Sequence, residues 1–140
     1  MIPSASNGVP TMAGLVCLLV DDETAIRTYL RAILERQDFS CLEAGTAPQA
    51  MRLIQKLEGR IDLIITDIRM PGDMNGIDLA YWVRRAYPKV AVVIISGYSD
   101  EDGVQQAVRD FEFIDKPFVP KAILAAVRNV RGKGFGSSGS

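Results

Sequence analysis

Five short, mostly apolar runs, four of them ending on or followed by a polar or charged residue, alternate along this chain with apolar residues at helical spacing. The runs fall at residues 15–20, 40–44, 61–66, 90–95 and 111–115. The first contains no polar residue and the fourth is the most β-branched stretch of the chain, as strands covered on both faces require. After the first run, Ile26, Leu30, Ile33 and Leu34 line one face of a helix. Thr46, Pro48 and Gln49 then read as a helix start with a capping box, and Ala50, Leu53, Ile54 and Leu57 as its buried face. Leu79, Trp82, Val83 and Ala86 mark a third helix after the chain breakers Pro71, Gly72 and Gly76. Val104, Ala107, Val108 and Phe111 mark a short fourth helix, weakened by Gly103; Ile123, Leu124, Val127 and Val130 mark a fifth.

Five strand-then-helix units with short connections argue for a parallel sheet with helices on both faces. For five strands the common solution is the flavodoxin-like doubly wound α/β fold, order 2-1-3-4-5, with five helices. Ligands of such folds bind beyond the carboxyl ends of the strands, near the point where strand order reverses. With 140 residues the chain suits one domain, read here as 14–131. A Ser-, Gly-, Pro- and Asn-rich segment (1–13) and a Gly/Ser tail (132–140) flank it, both expected to be flexible.

Composition removes several function classes. A net charge of −1 calls for neither nucleic acid nor an anionic membrane. The apolar runs are too short to span a bilayer, and no secretion signal opens the chain, so a cytoplasmic location is expected. There is no histidine, which excludes His-based triads, imidazole ligands and a phosphohistidine carrier. Cys17 and Cys41 sit inside apolar strands and read as buried, reduced thiols.

At the strand ends stand Asp21 and Asp22, Asp67, Ser96 and Lys116. In the order above, these ends bring three carboxylates, a hydroxyl and an ammonium into one shallow cleft. Two unit charges about 4 Å apart repel by roughly 4 kcal/mol at an effective dielectric of 20. Such a cluster must bind a cation, raise a pKa or be partly neutralised by Lys116. Oxygen ligands alone suit a hard cation such as Mg²⁺. Each residue has a plain reading by itself: an Asp-Asp pair as a helix cap, Ser-Gly as a turn, Lys-Pro as a strand end. Together and in order they favour a phosphate site, with Asp67 as nucleophile toward phosphorus and Mg²⁺, Lys116 and Ser96 covering the phosphoryl oxygens.

Four segments carry a family resemblance: Leu-Leu-Val-Asp-Asp-Glu (18–23), Ile-Ile-Thr-Asp-Ile-Arg-Met-Pro-Gly (64–72), Ile-Ile-Ser-Gly-Tyr (94–98) and Phe-Ile-Asp-Lys-Pro-Phe (113–118). From about residue 16 to 130 the chain resembles the response-regulator receiver family of two-component phosphorelay signalling. The resemblance implies Asp67 as phosphoacceptor, Asp22 as direct Mg²⁺ ligand and Asp21 as an acid holding Mg²⁺ mainly through water. It also implies a ligand from the backbone carbonyl of Arg69, a switch hydroxyl at Ser96, a phosphate-binding ammonium at Lys116 and a switch aromatic at Phe113. A histidine kinase or histidine phosphotransfer protein would supply the phosphoryl group. The remodelled face of the fourth helix, fifth strand and last helix would meet a protein output partner or a second copy of the chain. Such a protein is a signalling phosphoacceptor rather than an enzyme. It would be either free-standing or a receiver excised from a hybrid kinase, since only about ten residues follow the last helix.

Three departures from the family pattern stand out. The loop from Met70 to Gly76 is one residue longer before Gly76 than the common family pattern. The span from Ser96 to Lys116 is about two residues short, so a short or partly unwound fourth helix is expected. Phe113 lacks the hydroxyl of the family's Tyr. A rival class, haloacid-dehalogenase-like phosphatases, carries a general acid where this chain has Arg69, and turnover without that acid should be slow. A flavin or nucleotide binder would want a Gly-rich phosphate loop, which the chain does not have. Arg69 and Tyr98 are expected to flank the phosphoryl group and slow its loss to water.

Overall fold

The computed structural model describes residues 14–97 and 103–133. The 1–13 segment, residues 134–140 of the tail and Tyr98 lie outside the described residues. The elements run β1 (Leu15–Val20), α1 (Thr24–Glu35), β2 (Phe39–Ala44), α2 (Ala47–Lys56), β3 (Leu63–Asp67), α3 (Gly76–Ala86), β4 (Ala91–Ser96), α4 (Val104–Asp110), β5 (Glu112–Asp115) and α5 (Pro120–Lys133). The sheet is parallel throughout in the order β2-β1-β3-β4-β5, as the alternation predicts.

Alternation along each strand divides the core into two layers. Val16, Leu18, Val20 and Ile64 point to the side of α2 and α3, joined by Ala50, Ile54, Leu79 and Val83. Cys17, Leu19, Leu63 and Ile65 point the other way, onto Leu30, Ile33 and Leu34 of α1 and Ile123 and Val127 of α5. Both cysteines are buried free thiols, opposite each other in the β1–β2 register.

Several local details differ from the expected ones for identifiable reasons. β3 begins at Leu63 rather than Ile61, because residues 57–61 turn through two positive-φ positions, Glu58 and Gly59. Asp62 then pins the strand entry, its carboxylate accepting from Val16 N–H at 2.8 Å. Thr46 caps α2 by accepting from Gln49 N–H at 3.2 Å, but the Gln49 side chain accepts from Gly45 N–H, so the box is not reciprocal. The true capping box is at α3, where Asn75 and Asp78 exchange bonds of 2.9 and 3.0 Å. α5 continues to Lys133, through a glycine that composition assigns to the tail.

α4 has only seven residues, in keeping with the shortened span before β5. It is clasped from α3: Tyr81 Oη donates to Asp110 Oδ2 at 2.6 Å, and Arg84 donates to the Asp110 carbonyl at 2.6 Å. Tyr81 also meets the Phe111 ring edge-on at 5.0 Å, and Arg84 lies 4.1 Å over that ring. A helix this short draws its stability from such contacts rather than from its own hydrogen bonds. Tyr81→Phe should therefore accelerate amide exchange across residues 104–110 and leave the central strands unchanged. Equal protection of α4 in that variant would show that the clasp is dispensable.

Candidate functional site

The carboxyl ends of four strands position the site. Asp21 follows the last residue of β1, Asp67 and Ser96 close β3 and β4, and Lys116 follows β5. The β1–β3 pairing (Val20 opposite Thr66) and the β3–β4 pairing (Asp67 opposite Ile95) set the strand ends level. The cleft opens where the order reverses between β1 and β3. Asp21, Asp22 and Asp67 each offer a carboxylate oxygen, and these oxygens lie within 4.8 Å of one another. Asp21 and Asp67 are buried and Asp22 is exposed. Lys116 Nζ stands 3.4 Å from Asp67 Oδ2.

The acids are held by the backbone. Asp21 Oδ1 accepts from Glu23 N–H at 2.8 Å, and Asp67 Oδ1 accepts from Ile68 N–H at 2.9 Å. The Lys116 amide donates to the Ser96 carbonyl at 2.8 Å, and the Lys116–Pro117 peptide bond is cis. Burial raises the Asp21 carboxyl to about 6, against the Glu23 amide, and the Asp67 charge adds to the rise. Burial also raises Asp67, opposed by the Lys116 ammonium and the Ile68 amide. Asp21 Oδ2 is a buried oxygen with no hydrogen-bond partner among the described residues. Such an oxygen, in an oxygen-only cluster beside two further carboxylates, fits a hard cation such as Mg²⁺.

The other residues singled out from sequence are also placed. Ser96 is buried near the cleft floor, but its hydroxyl donates to the Gly97 carbonyl at 2.8 Å rather than to an acid. Phe113 is half-buried against the α2–α3 side of the core, opposite Ile94. Arg69 is exposed two residues past Asp67 in the loop to α3. Sequence reasoning missed Thr66 and the role of Gly76. The buried Thr66 hydroxyl donates to the Asp67 carbonyl at 2.9 Å. A Cβ on Gly76 would stand 1.7 Å from that carbonyl oxygen, so only glycine lets α3 start this close to the strand end. Its signal in the sequence was an Asn-Gly pair at a helix start, read only as a chain breaker.

Known proteins resemble this chain in sequence and in fold. Residues 17–128 match the family described as "Response regulator receiver domain". The chain is 33% identical over 123 residues to the phosphate regulon transcriptional regulatory protein PhoB of Pseudomonas aeruginosa, covering 85% of this chain and 52% of that protein. It is 29% identical over 115 residues to the sensor kinase CckA of Brucella abortus, covering 81% of this chain and 12% of the kinase. This chain thus spans about half or less of these relatives. Among solved structures, a response regulator receiver domain protein from Clostridium thermocellum superposes with a TM-score of 0.76 at 27% identity, covering 85% of this chain and 95% of that one. No helix among the described residues is long and apolar enough to cross a membrane.

Two outcomes follow from the geometry. Gly76→Ala should destabilise the fold by about 1–3 kcal/mol in urea unfolding, because the methyl group has no space beside the Asp67 carbonyl; unchanged stability would contradict the packing. A carbon-detected NMR titration of the metal-free protein should give Asp21 a midpoint near 6. With the folded pKa above the unfolded one, this group's stabilising contribution is full below about 4 and is lost as pH rises through about 6. A midpoint near the ordinary carboxylate value of about 4 would contradict the burial argument.

Proposed function

Since this chain belongs to the response regulator receiver domain family, we propose that Asp67 accepts a phosphoryl group and passes that event to a protein-binding face. Receiver domains bind Mg²⁺ at an acidic cluster, and this chain carries such a group in Asp21, Asp22 and Asp67. The observation that carries the reading is the convergence of that cluster with Lys116, 3.4 Å from Asp67, at the strand-order reversal.

The chemistry follows from the side chains. An Asp67 carboxylate oxygen attacks phosphorus as the bond to the donor's leaving group breaks, and the departing group takes the electron pair. The Lys116 ammonium, already paired with Asp67, stays close enough to meet the charge of the transferred group. Asp22 and Asp67 directly, the Arg69 backbone carbonyl, and Asp21 through water would hold Mg²⁺, whose charge would be available to offset further phosphoryl charge. The donor is a histidine kinase or histidine phosphotransfer protein, which supplies the histidine this chain lacks.

Signal output uses Ser96 and Phe113. The Ser96 hydroxyl gives up the Gly97 carbonyl for a phosphoryl oxygen, and Phe113 moves into the space released. The moved ring changes the face of α4, β5 and α5, where a protein partner or a second copy of the chain would read it. The short, clasped α4 makes this face smaller than a full helix would.

Intact-mass analysis after incubation with acetyl phosphate tests the acceptor. The chain should gain one phosphoryl group only when Mg²⁺ is present, and Asp67→Asn should abolish the gain. Undiminished labelling of Asp67→Asn would move the acceptor elsewhere.

A further inference from the structure

Arg27, in the first turn of α1, stands beside the acid cluster and is fastened to its backbone. Its Nη1 donates to the main-chain carbonyl of Asp21 at 2.5 Å, its Nε to Glu43 Oε1 at 2.7 Å and its Nη2 to Thr24 Oγ1 at 3.3 Å. All three guanidinium nitrogens therefore hold fixed acceptors on three segments: the β1 exit, the end of β2 and the start of α1. The side chain is only 16% exposed, which protects these bonds from solvent. Glu43 is itself fixed, since its second oxygen accepts from Arg31 Nε at 2.8 Å, and Arg31 pairs with Glu35 at 2.9 Å. The Arg27 and Arg31 guanidinium groups hold the Glu43 carboxyl below its ordinary range, so it stays ionised under Arg27.

The carbonyl that Arg27 holds belongs to the peptide unit joining Asp21 to Asp22. On the other side of Asp21, the amide donates to the Ala44 carbonyl at 3.1 Å, and Asp21 Oδ1 caps the Glu23 amide. Rotation of the Asp21–Asp22 peptide would swing the exposed Asp22 carboxylate away from Asp67. A bond to a charged donor is short and strong, and the rigid fork of arginine fits several acceptors at once where lysine fits one.

We propose that Arg27 is a positioning residue for cation binding: by fixing the Asp21–Asp22 peptide it aims both acids at Asp67. The inference rests on the reading above that this cluster binds Mg²⁺. Outer residues that orient metal ligands commonly set affinity by about 10- to 100-fold. Arg31 supplies an internal control, because it shares Glu43 with Arg27 and holds no atom of Asp21.

The test is a Mg²⁺ titration of the full chain followed by backbone amide NMR, for wild type, Arg27→Met, Arg27→Lys and Arg31→Met. Both Arg27 variants should bind Mg²⁺ about tenfold more weakly. Arg31→Met should stay within about twofold of wild type, because Arg31 reaches the cluster only through Glu43. Labelling by acetyl phosphate should be slow in the Arg27 variants at low Mg²⁺ and recover when Mg²⁺ saturates. Wild-type affinity in the folded Arg27 variants would overturn the proposal, as would an equal loss in Arg31→Met or slow labelling that saturating Mg²⁺ does not restore. Should Arg27→Met fail to fold, Arg27→Lys, which keeps the cation, decides. Wild type that shows no Mg²⁺-dependent shifts at residues 21, 22 and 67 would instead remove the metal reading itself.

Discussion

Three carboxylates crowded at one end of a parallel sheet, with the Lys116 ammonium beside them, form the constraint on which the rest of the molecule depends. Their oxygens lie within 4.8 Å, two of the three acids are buried, and one buried oxygen has no partner among the described residues. Such an arrangement opposes folding, because burial and mutual repulsion both disfavour the charged forms. It persists because the acids are attached to the stiffest part of the structure. β1 and β3 are central strands, covered on both sides by apolar layers, and their register leaves little freedom at the ends.

The surroundings of the cluster answer to the same demand. Thr66 ties the Asp67 carbonyl from within the strand, and Gly76 lets α3 begin against that carbonyl with no side chain between. The Asn75–Asp78 box then fixes the start of α3. On the other flank, Arg27 joins the β1 exit to β2 and α1. In contrast, the β4–β5 side is lightly built: α4 has seven residues, β5 has four, and Phe113 is only half-buried. A rigid acid cluster next to a softer flank is the division that a switch needs, since the charge change occurs on one side and the movement on the other.

Much of this was legible in the residues because strand ends and helix faces are written in local patterns. The apolar run from Leu15 to Val20 and the Asp-Asp after it specify both a buried strand and acids at its exit. Features that depend on distant backbone were not legible. Asp62 looked like part of a strand until its carboxylate was seen to bind the Val16 amide, 46 residues away in sequence. Gly76 is a turn former by composition, and only the approach of the Asp67 carbonyl makes it indispensable. Gln49 sits at the right spacing for a capping box, yet the amide it reaches is that of Gly45. Arg27 reads as one more charge on an amphipathic helix, and its hold on Asp21 requires β2 to bring Glu43 alongside.

The central claim is that the fold holds this acid cluster at a cost that a hard cation relieves. Thermal melting of wild type and Asp21→Asn at neutral pH, with and without millimolar Mg²⁺, tests it most directly. The account predicts that Asp21→Asn melts above wild type when Mg²⁺ is absent, and that Mg²⁺ raises the wild-type midpoint more than the variant's. A wild-type midpoint that ignores Mg²⁺, together with an Asp21→Asn variant that melts below it, would contradict the account.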